Sequence, residues 1–221
     1  MQVLADCKPE RLFHYFEEIS AIPRRSGDEK AVSDYVVRSA RDHGLWAYQD
    51  TAYNVLIRKP AFTGYEQSEP VLLQAHLDMV CEKNNDSAHD FSAGSFLLKC
   101  SVRSSVYTKK RFLSAVISRL ALISDGTVSF NGDYPGWEFV RESPLRALLC
   151  EVFKELYGKP PEIAAIHGGL ECGLLTEKVQ GMDAVAIGPD ICNAHTPRES
   201  VSIASVKRTW EFILASLKRM R

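Results

Sequence analysis

The chain has 221 residues and a mass of 24.7 kDa, room for one sizeable domain or one domain with a small appendage. Its residues are 45% hydrophobic and 25% charged, proportions that support a buried core and exclude whole-chain disorder, collagen and coiled coil. Lys plus Arg number 27 and Asp plus Glu 28, a formal net charge of -1, without the basic excess expected of a nucleic-acid binder.

The basic cluster Lys218, Arg219 and Arg221 reads as the solvated last turn of a helix, where cations suit the helix dipole. No apolar run approaches the roughly 18 residues of a membrane span. The first ten residues lack a basic stretch followed by an apolar one, so no secretory signal is expected. Cys7, Cys81, Cys100, Cys150, Cys172 and Cys192 show no CxxC spacing. They read as the reduced thiols of a cytoplasmic protein.

In chain order, residues 9–20 carry Leu12, Phe13, Phe16 and Ile19 at helical spacing, and Pro23 follows. Ser26-Gly27-Asp28-Glu29 reads as a start signal, with a small polar cap and acids in the first turn. The helix predicted over 28–43 places Val32, Tyr35, Val36 and Ala40 on one face and ends at Gly44. Residues 46–50 and 55–58 read as short strands around a turn at Tyr53-Asn54. The apolar run 71–75 is of the kind buried in a parallel sheet, and it leads directly into His76-Leu77-Asp78. A polar loop over 84–95 precedes a strand with Phe96, Leu98, Cys100 and Val102 in alternation. The helix predicted over 107–123 has Phe112, Val116, Leu120 and Ile123 as its stripe. Residues 127–130 form a short strand and 132–137 a loop. Ser143-Pro144 opens a helix through Tyr157, with proline in its first position. Strands over 162–166 and 184–187 flank Gly168-Gly169 and a short helix. A loop over 188–198 leads to a last helix near 203–219. This alternation gives an α/β class, with no internal repeat and no low-complexity tract.

Three stretches carry candidate chemistry. His76 stands two residues before Asp78 at the end of a buried strand, a spacing that suits a metal ligand oriented by a carboxylate. A satisfied surface histidine at a strand end is the alternative. His195 lies in a loop between strand and helix. Such a loop collects ligands, or simply leads into a helix with Thr196 as cap and Pro197 in the first position; both readings can hold together. In Ile166-His-Gly-Gly-Leu-Glu-Cys-Gly173, two glycines allow close backbone approach, and the following helix start favours an anion such as a substrate carboxylate. Cys172 with His167 as base is a nucleophile pair on paper, yet a cysteine among apolar and acidic neighbours is more often inert. There is no GxSxG elbow, no P-loop and no GxGxxG.

Taken together these segments are specific. Val71-Leu-Leu-Gln-Ala-His-Leu-Asp-Met-Val80 running into Glu82-Lys-Asn-Asn-Asp-Ser-Ala-His-Asp-Phe91 resembles the aminoacyl-histidine dipeptidases (peptidase D, Xaa-His dipeptidases). That family of cytosolic zinc metallopeptidases is related to aminoacylases and carnosinases. Asn54-Val-Leu-Ile-Arg-Lys-Pro60, Tyr134-Pro-Gly-Trp137, His167-Gly-Gly-Leu-Glu-Cys-Gly173, Gly188-Pro189 and His195-Thr-Pro197 resemble it in the same order.

The resemblance implies hydrolysis of small dipeptides of the Xaa-His type by a zinc-activated water, with two zinc ions per site and manganese or cobalt as substitutes. It implies His76 and His195 as metal ligands, one for each ion, and Asp78 as the catalytic-site carboxylate that orients His76. His167, Gly168, Gly169 and Glu171 would hold the substrate. The fold implied is a zinc-exopeptidase-like (phosphorylase/hydrolase-like) three-layer sandwich. The expected divisions are 1–92 and 132–221 as halves of a peptidase domain, and 93–131 as a remnant of the lid domain, through which a homodimer would form. No nucleic-acid or membrane partner is expected.

The chain also departs from the family pattern. The Gly-Ala-Asp-Asn-Gly segment with the bridging aspartate, the Thr-Glu-Glu segment with the base, and a further aspartate ligand have no counterpart here. The match passes from His89-Asp90-Phe91 almost directly into Phe96-Leu-Leu-Lys-Cys-Ser-Val-Arg103, so the join near 92–95 looks like an internal deletion of central segments. Asp86, Asp90, Asp133 and Glu171 are the nearest acids by position, and no motif supports them as replacements. The resemblance therefore leaves two readings: a working dipeptidase that binds metal at His76 and His195 with further ligands from unrecognised residues or another chain, or a shortened, catalytically inactive relative with at most one weakly held metal. A third, an assembly module acting through the lid remnant, stands beside them.

Overall fold

The computed structural model describes residues 4–80, 107–123, 127–130, 135–165 and 170–220. In chain order its elements are α1 (Glu10–Ser20), α2 (Lys30–Asp42), β1 (Trp46–Gln49), β2 (Val55–Arg58), α3 (Tyr107–Ile123), α4 (Pro144–Tyr157), α5 (Glu171–Lys178), β3 (Ile191–Cys192), β4 (Ser200–Val201) and α6 (Ile203–Arg219). They fall into two units: Met1–Ala93 with Pro189–Arg221, and Gly94–Gly188. Helices mix with two small antiparallel sheets, β1–β2 and β3–β4.

In the first unit α1 and α2 form largely as their apolar spacing predicts. Phe13 of α1 and Val32, Val37 and Ala40 of α2 are buried. The predicted face of α2 is thus rotated slightly, with Val37 buried and Tyr35 and Val36 half-buried. Phe16 remains 45% exposed. The two helices are tied by the Tyr35 hydroxyl, which donates to Glu18 Oε2 at 2.6 Å. They are tied again at His43, whose Nδ1 lies 2.7 Å from Ser39 O and whose Nε2 lies 3.0 Å from both Arg11 Nη2 and the Tyr15 hydroxyl. A carbonyl only accepts, so Nδ1 carries the proton and Nε2 receives the other two.

The hairpin pairs Trp46 with Arg58 and Gln49 with Val55. Its turn is built by Asp50, whose Oδ1 accepts from the N–H groups of Ala52 at 2.9 Å and Asn54 at 2.8 Å. Asn54 Nδ2 donates to Asp50 Oδ2 at 2.9 Å. These bonds to the charged form hold the Asp50 carboxyl below its ordinary range. Tyr53 takes φ 65°, and its carbonyl accepts from Ser33 Oγ at 2.8 Å. Gln49 reaches the same Ser33 Oγ at 2.6 Å. Ser33 is wholly buried and is satisfied by hairpin and turn together, as a buried hydroxyl must be.

The second unit contains α4, whose ends follow the sequence closely. Ser143 Oγ accepts from Arg146 N at 3.0 Å and proline occupies the first helical position. The Asp183 carboxylate accepts from Ser143 Oγ at 2.7 Å and from Leu145 N at 2.9 Å. Gly158 closes the helix at φ 71°, a left-handed conformation that favours glycine. Leu149 and Val152 are its buried residues.

The parallel-sheet expectation is not met. Residues 71–75, 127–130, 162–165 and 184–187 lie outside any strand. Val71, Leu72 and Leu73 are 47%, 52% and 66% exposed. An apolar run becomes an interior strand only where neighbours complete its ladder and cover both faces, and among the described residues none pairs with these segments. The helix α3 forms where predicted, but its stripe faces solvent: Phe112, Leu120 and Ile123 are 68%, 58% and 81% exposed. The strand expected over 96–102, the loop over 84–95 and Ile166 lie outside the described residues.

Candidate functional site

The segment carrying His76 and Asp78 is anchored by the link between α1 and α2. Met79 N donates to Arg24 O at 2.8 Å, and Arg25 and Met79 form a parallel bridge. Ser26 Oγ donates to Asp78 Oδ2. The other carboxylate oxygen, Oδ1, lies 2.8 Å from His76 Nδ1. An ionised carboxylate only accepts, so His76 donates from Nδ1 and presents the Nε2 lone pair outward. The His76 side chain is 65% exposed. The Ser26 bond, and after it the His76 contact, holds the Asp78 carboxyl below its ordinary range against a partial desolvation.

The sequence spacing points to Ser26 as a helix cap. Instead, Glu29 is the N-cap of α2, with no side-chain cap bond, and Ser26 spends its hydroxyl on Asp78. Glu29 Oε1 folds back to accept from Gly27 N at 2.6 Å. Gly27 takes φ 88°, which turns the chain between Ser26 and α2. A serine 52 residues from its partner leaves no local pattern, so sequence spacing had no means of finding it.

His195 occupies another loop of the same unit, at φ 63°. Its N–H donates to Glu199 Oε2 at 2.7 Å, and the residue is exposed. Thr196 does not cap a helix: its Oγ1 donates to Asn193 O at 2.8 Å and accepts from Arg198 N at 3.2 Å. The helix α6 starts later, with Ser202 as cap, after the short β3–β4 pair. None of the described contacts joins His195 to His76.

In the second unit, Glu171 is the first residue of α5. His167, Gly168 and Gly169 lie outside the described residues, as do Asp86, Asp90 and Asp133. One meeting of motifs is visible: a Cβ placed on buried Gly173 would stand 3.2 Å from Pro135 O and 3.3 Å from Trp137 Cβ. The glycine thus lets α5 rest on the 135–137 loop. Desolvation raises the Cys172 thiol above its ordinary value, the opposite of an activated nucleophile.

A catalytic zinc takes three protein ligands, and a pair needs a bridging group. Among the described residues no group of three or more His, Cys, Asp and Glu side chains could hold a metal ion. His76 has the tautomer and the orienting carboxylate of a ligand, but no described donor joins it. These residues do not fit the two-zinc centre that the resemblance implied. No described helix is long and apolar enough to cross a membrane.

No family model matches the chain. The cytosol non-specific dipeptidase of Escherichia coli (strain K12) is 35% identical over 123 residues, which are 56% of this chain and 25% of that protein. The aminoacylhistidine dipeptidase from Vibrio alginolyticus, a crystal structure, is 32% identical, with a TM-score of 0.42, over 53% of this chain and 24% of that one. The chain therefore spans about a quarter of the length of the relatives it matches. Over 56% of its own length the chain is similar to that cytosol non-specific dipeptidase.

Proposed function

We propose that this chain is a shortened dipeptidase relative whose chemistry is peptide hydrolysis on small dipeptides of the Xaa-His type, with His76 and Asp78 as what remains of a metal centre. The observation that carries this reading is the 2.8 Å pair between His76 Nδ1 and Asp78 Oδ1, on a side chain that is 65% exposed. A neutral histidine held by a carboxylate through one ring nitrogen is the form in which imidazole binds a metal with the other. His195 as a second ligand, a substrate cradle at His167, Gly168, Gly169 and Glu171, a cytoplasmic location and a three-layer sandwich as the ancestral fold belong to the same proposal. So does the division into 1–92, 93–131 and 132–221.

A second reading is favoured by a specific observation. The bridging aspartate, the glutamate base and the further carboxylate ligand have no counterpart in the sequence, and no described acid stands with His76 apart from Asp78 and its support. On that reading the chain keeps the family's framework and has lost hydrolysis. Purified chain supplied with zinc or manganese and a Xaa-His dipeptide separates the two. Turnover that disappears in His76→Ala is the result the hydrolytic reading expects. A folded chain without turnover establishes the inactive one.

A further inference from the structure

We propose that Ser26 is a positioning residue for His76, acting through Asp78, and that the α1–α2 link has taken over the orienting task of a sheet. This inference rests on the reading of His76 as a would-be ligand.

The segment 71–75 is in no strand and is exposed, so no ladder fixes the direction in which the following His76 points. What fixes it, among the described contacts, is a bracket of one backbone bridge and one side-chain bond. The backbone is caught where Met79 N donates to Arg24 O at 2.8 Å and where Arg25 and Met79 form their bridge. The side chain is caught where Ser26 Oγ donates to Asp78 Oδ2. With Oδ2 held by Ser26 and Oδ1 held by His76 Nδ1, the carboxylate plane cannot rotate freely about its last bond. A carboxylate anchored at one oxygen presents a fixed acceptor at the other, and that acceptor decides which imidazole nitrogen carries the proton. Without the hydroxyl, Asp78 is free to turn to water. His76 then loses its fixed partner, and the two neutral tautomers approach the mixture of a solvated imidazole.

Ser26 itself is set by its neighbours. Arg24 donates from its guanidinium to Ile19 O near the end of α1, and Gly27 supplies the left-handed turn before α2. The hydroxyl is therefore carried by a short link with both ends in helices. Threonine keeps it; valine has the same shape and removes it; alanine removes it without adding bulk.

The test reads the ring nitrogens of His76 by 15N NMR on the whole chain, with the signal assigned by its loss in His76→Ala. Above the titration range of histidine, the wild type is expected to show mainly the Nδ1–H form. In Ser26→Ala and Ser26→Val the Nδ1–H to Nε2–H ratio should fall at least twofold, while helix content by circular dichroism is unchanged. Ser26→Thr should restore the wild-type ratio. An unchanged ratio in Ser26→Val, with Asp78→Ala shifting it, overturns the role of Ser26 and leaves the His76–Asp78 pair standing. No shift in Asp78→Ala overturns the pair, and with it the reading on which this inference rests. If the alanine variant fails to fold, the isosteric Thr and Val pair carries the same comparison.

Discussion

At the scale of single residues, hydrogen bonds between distant positions decide what each polar side chain does. Tyr35 shows how such a bond alters behaviour with pH. Desolvation, and next the bond to Glu18, push its hydroxyl up from an ordinary 10.0 to about 12. The folded chain thus prefers the protonated phenol more strongly than the unfolded chain does. The associated stability is complete below about pH 10 and is lost as pH rises through about 12. Denaturant titrations between these limits should give a falling stability in the wild type and a shallower fall in Tyr35→Phe. Equal slopes would show that Tyr35 is not desolvated against Glu18. His76 and Asp78 were legible as chemically interesting residues because their signals are local, whereas Asp50, which the spacing assigns to a strand, builds the turn instead. Ser26 was legible only as a cap, since its real partner lies 52 residues away.

At the scale of elements, caps and turns followed the sequence where the partner is a near neighbour. Ser143 caps α4 through Arg146 N, three residues on, and Gly158 ends it. Replacing Ser143 with alanine should lower stability by about 1–2 kcal/mol, the usual loss for a cap, because Asp183 also loses one of its donors. Urea unfolding of Ser143→Ala against wild type measures it. A change near zero would mean that α4 is held by Leu149 and Val152 alone. The strands went the other way. Residues 71–75 have the composition of an interior strand, but strand formation is a property of pairs, and the described residues hold no partner for them. The short β3–β4 pair, whose first strand lies inside the expected loop, makes the converse point: its residues give no alternating run to read, and pairing of Ile191 with Val201 creates it.

At the scale of the whole molecule, apolar side chains that composition assigns to a core stand in water. Leu72, Leu73, Phe112, Leu120, Leu122 and Ile123 are each more than half exposed. Contiguous apolar surface favours association, and α3 carries the most exposed of these side chains. We expect light scattering to show a mass that rises with concentration, and Phe112→Ser with Leu120→Ser and Ile123→Ser to return the chain to a monomer. A monomer at high concentration in the wild type would remove the assembly reading.

The sequence alone determined the helices, the β1–β2 hairpin, the Ser143-Pro144 start of α4 and the family likeness, because each depends on spacing within a few residues or on contiguous motifs. It also placed His76 beside Asp78. The tertiary structure decided that the 71–75 run stays unpaired, that Ser26 serves Asp78 instead of α2, and that His195 sits with Glu199 at a left-handed turn. Those outcomes depend on which distant segments meet. A ladder needs a neighbouring strand, a carboxylate needs a donor to fix its plane, and a metal centre needs several donors converging on one point.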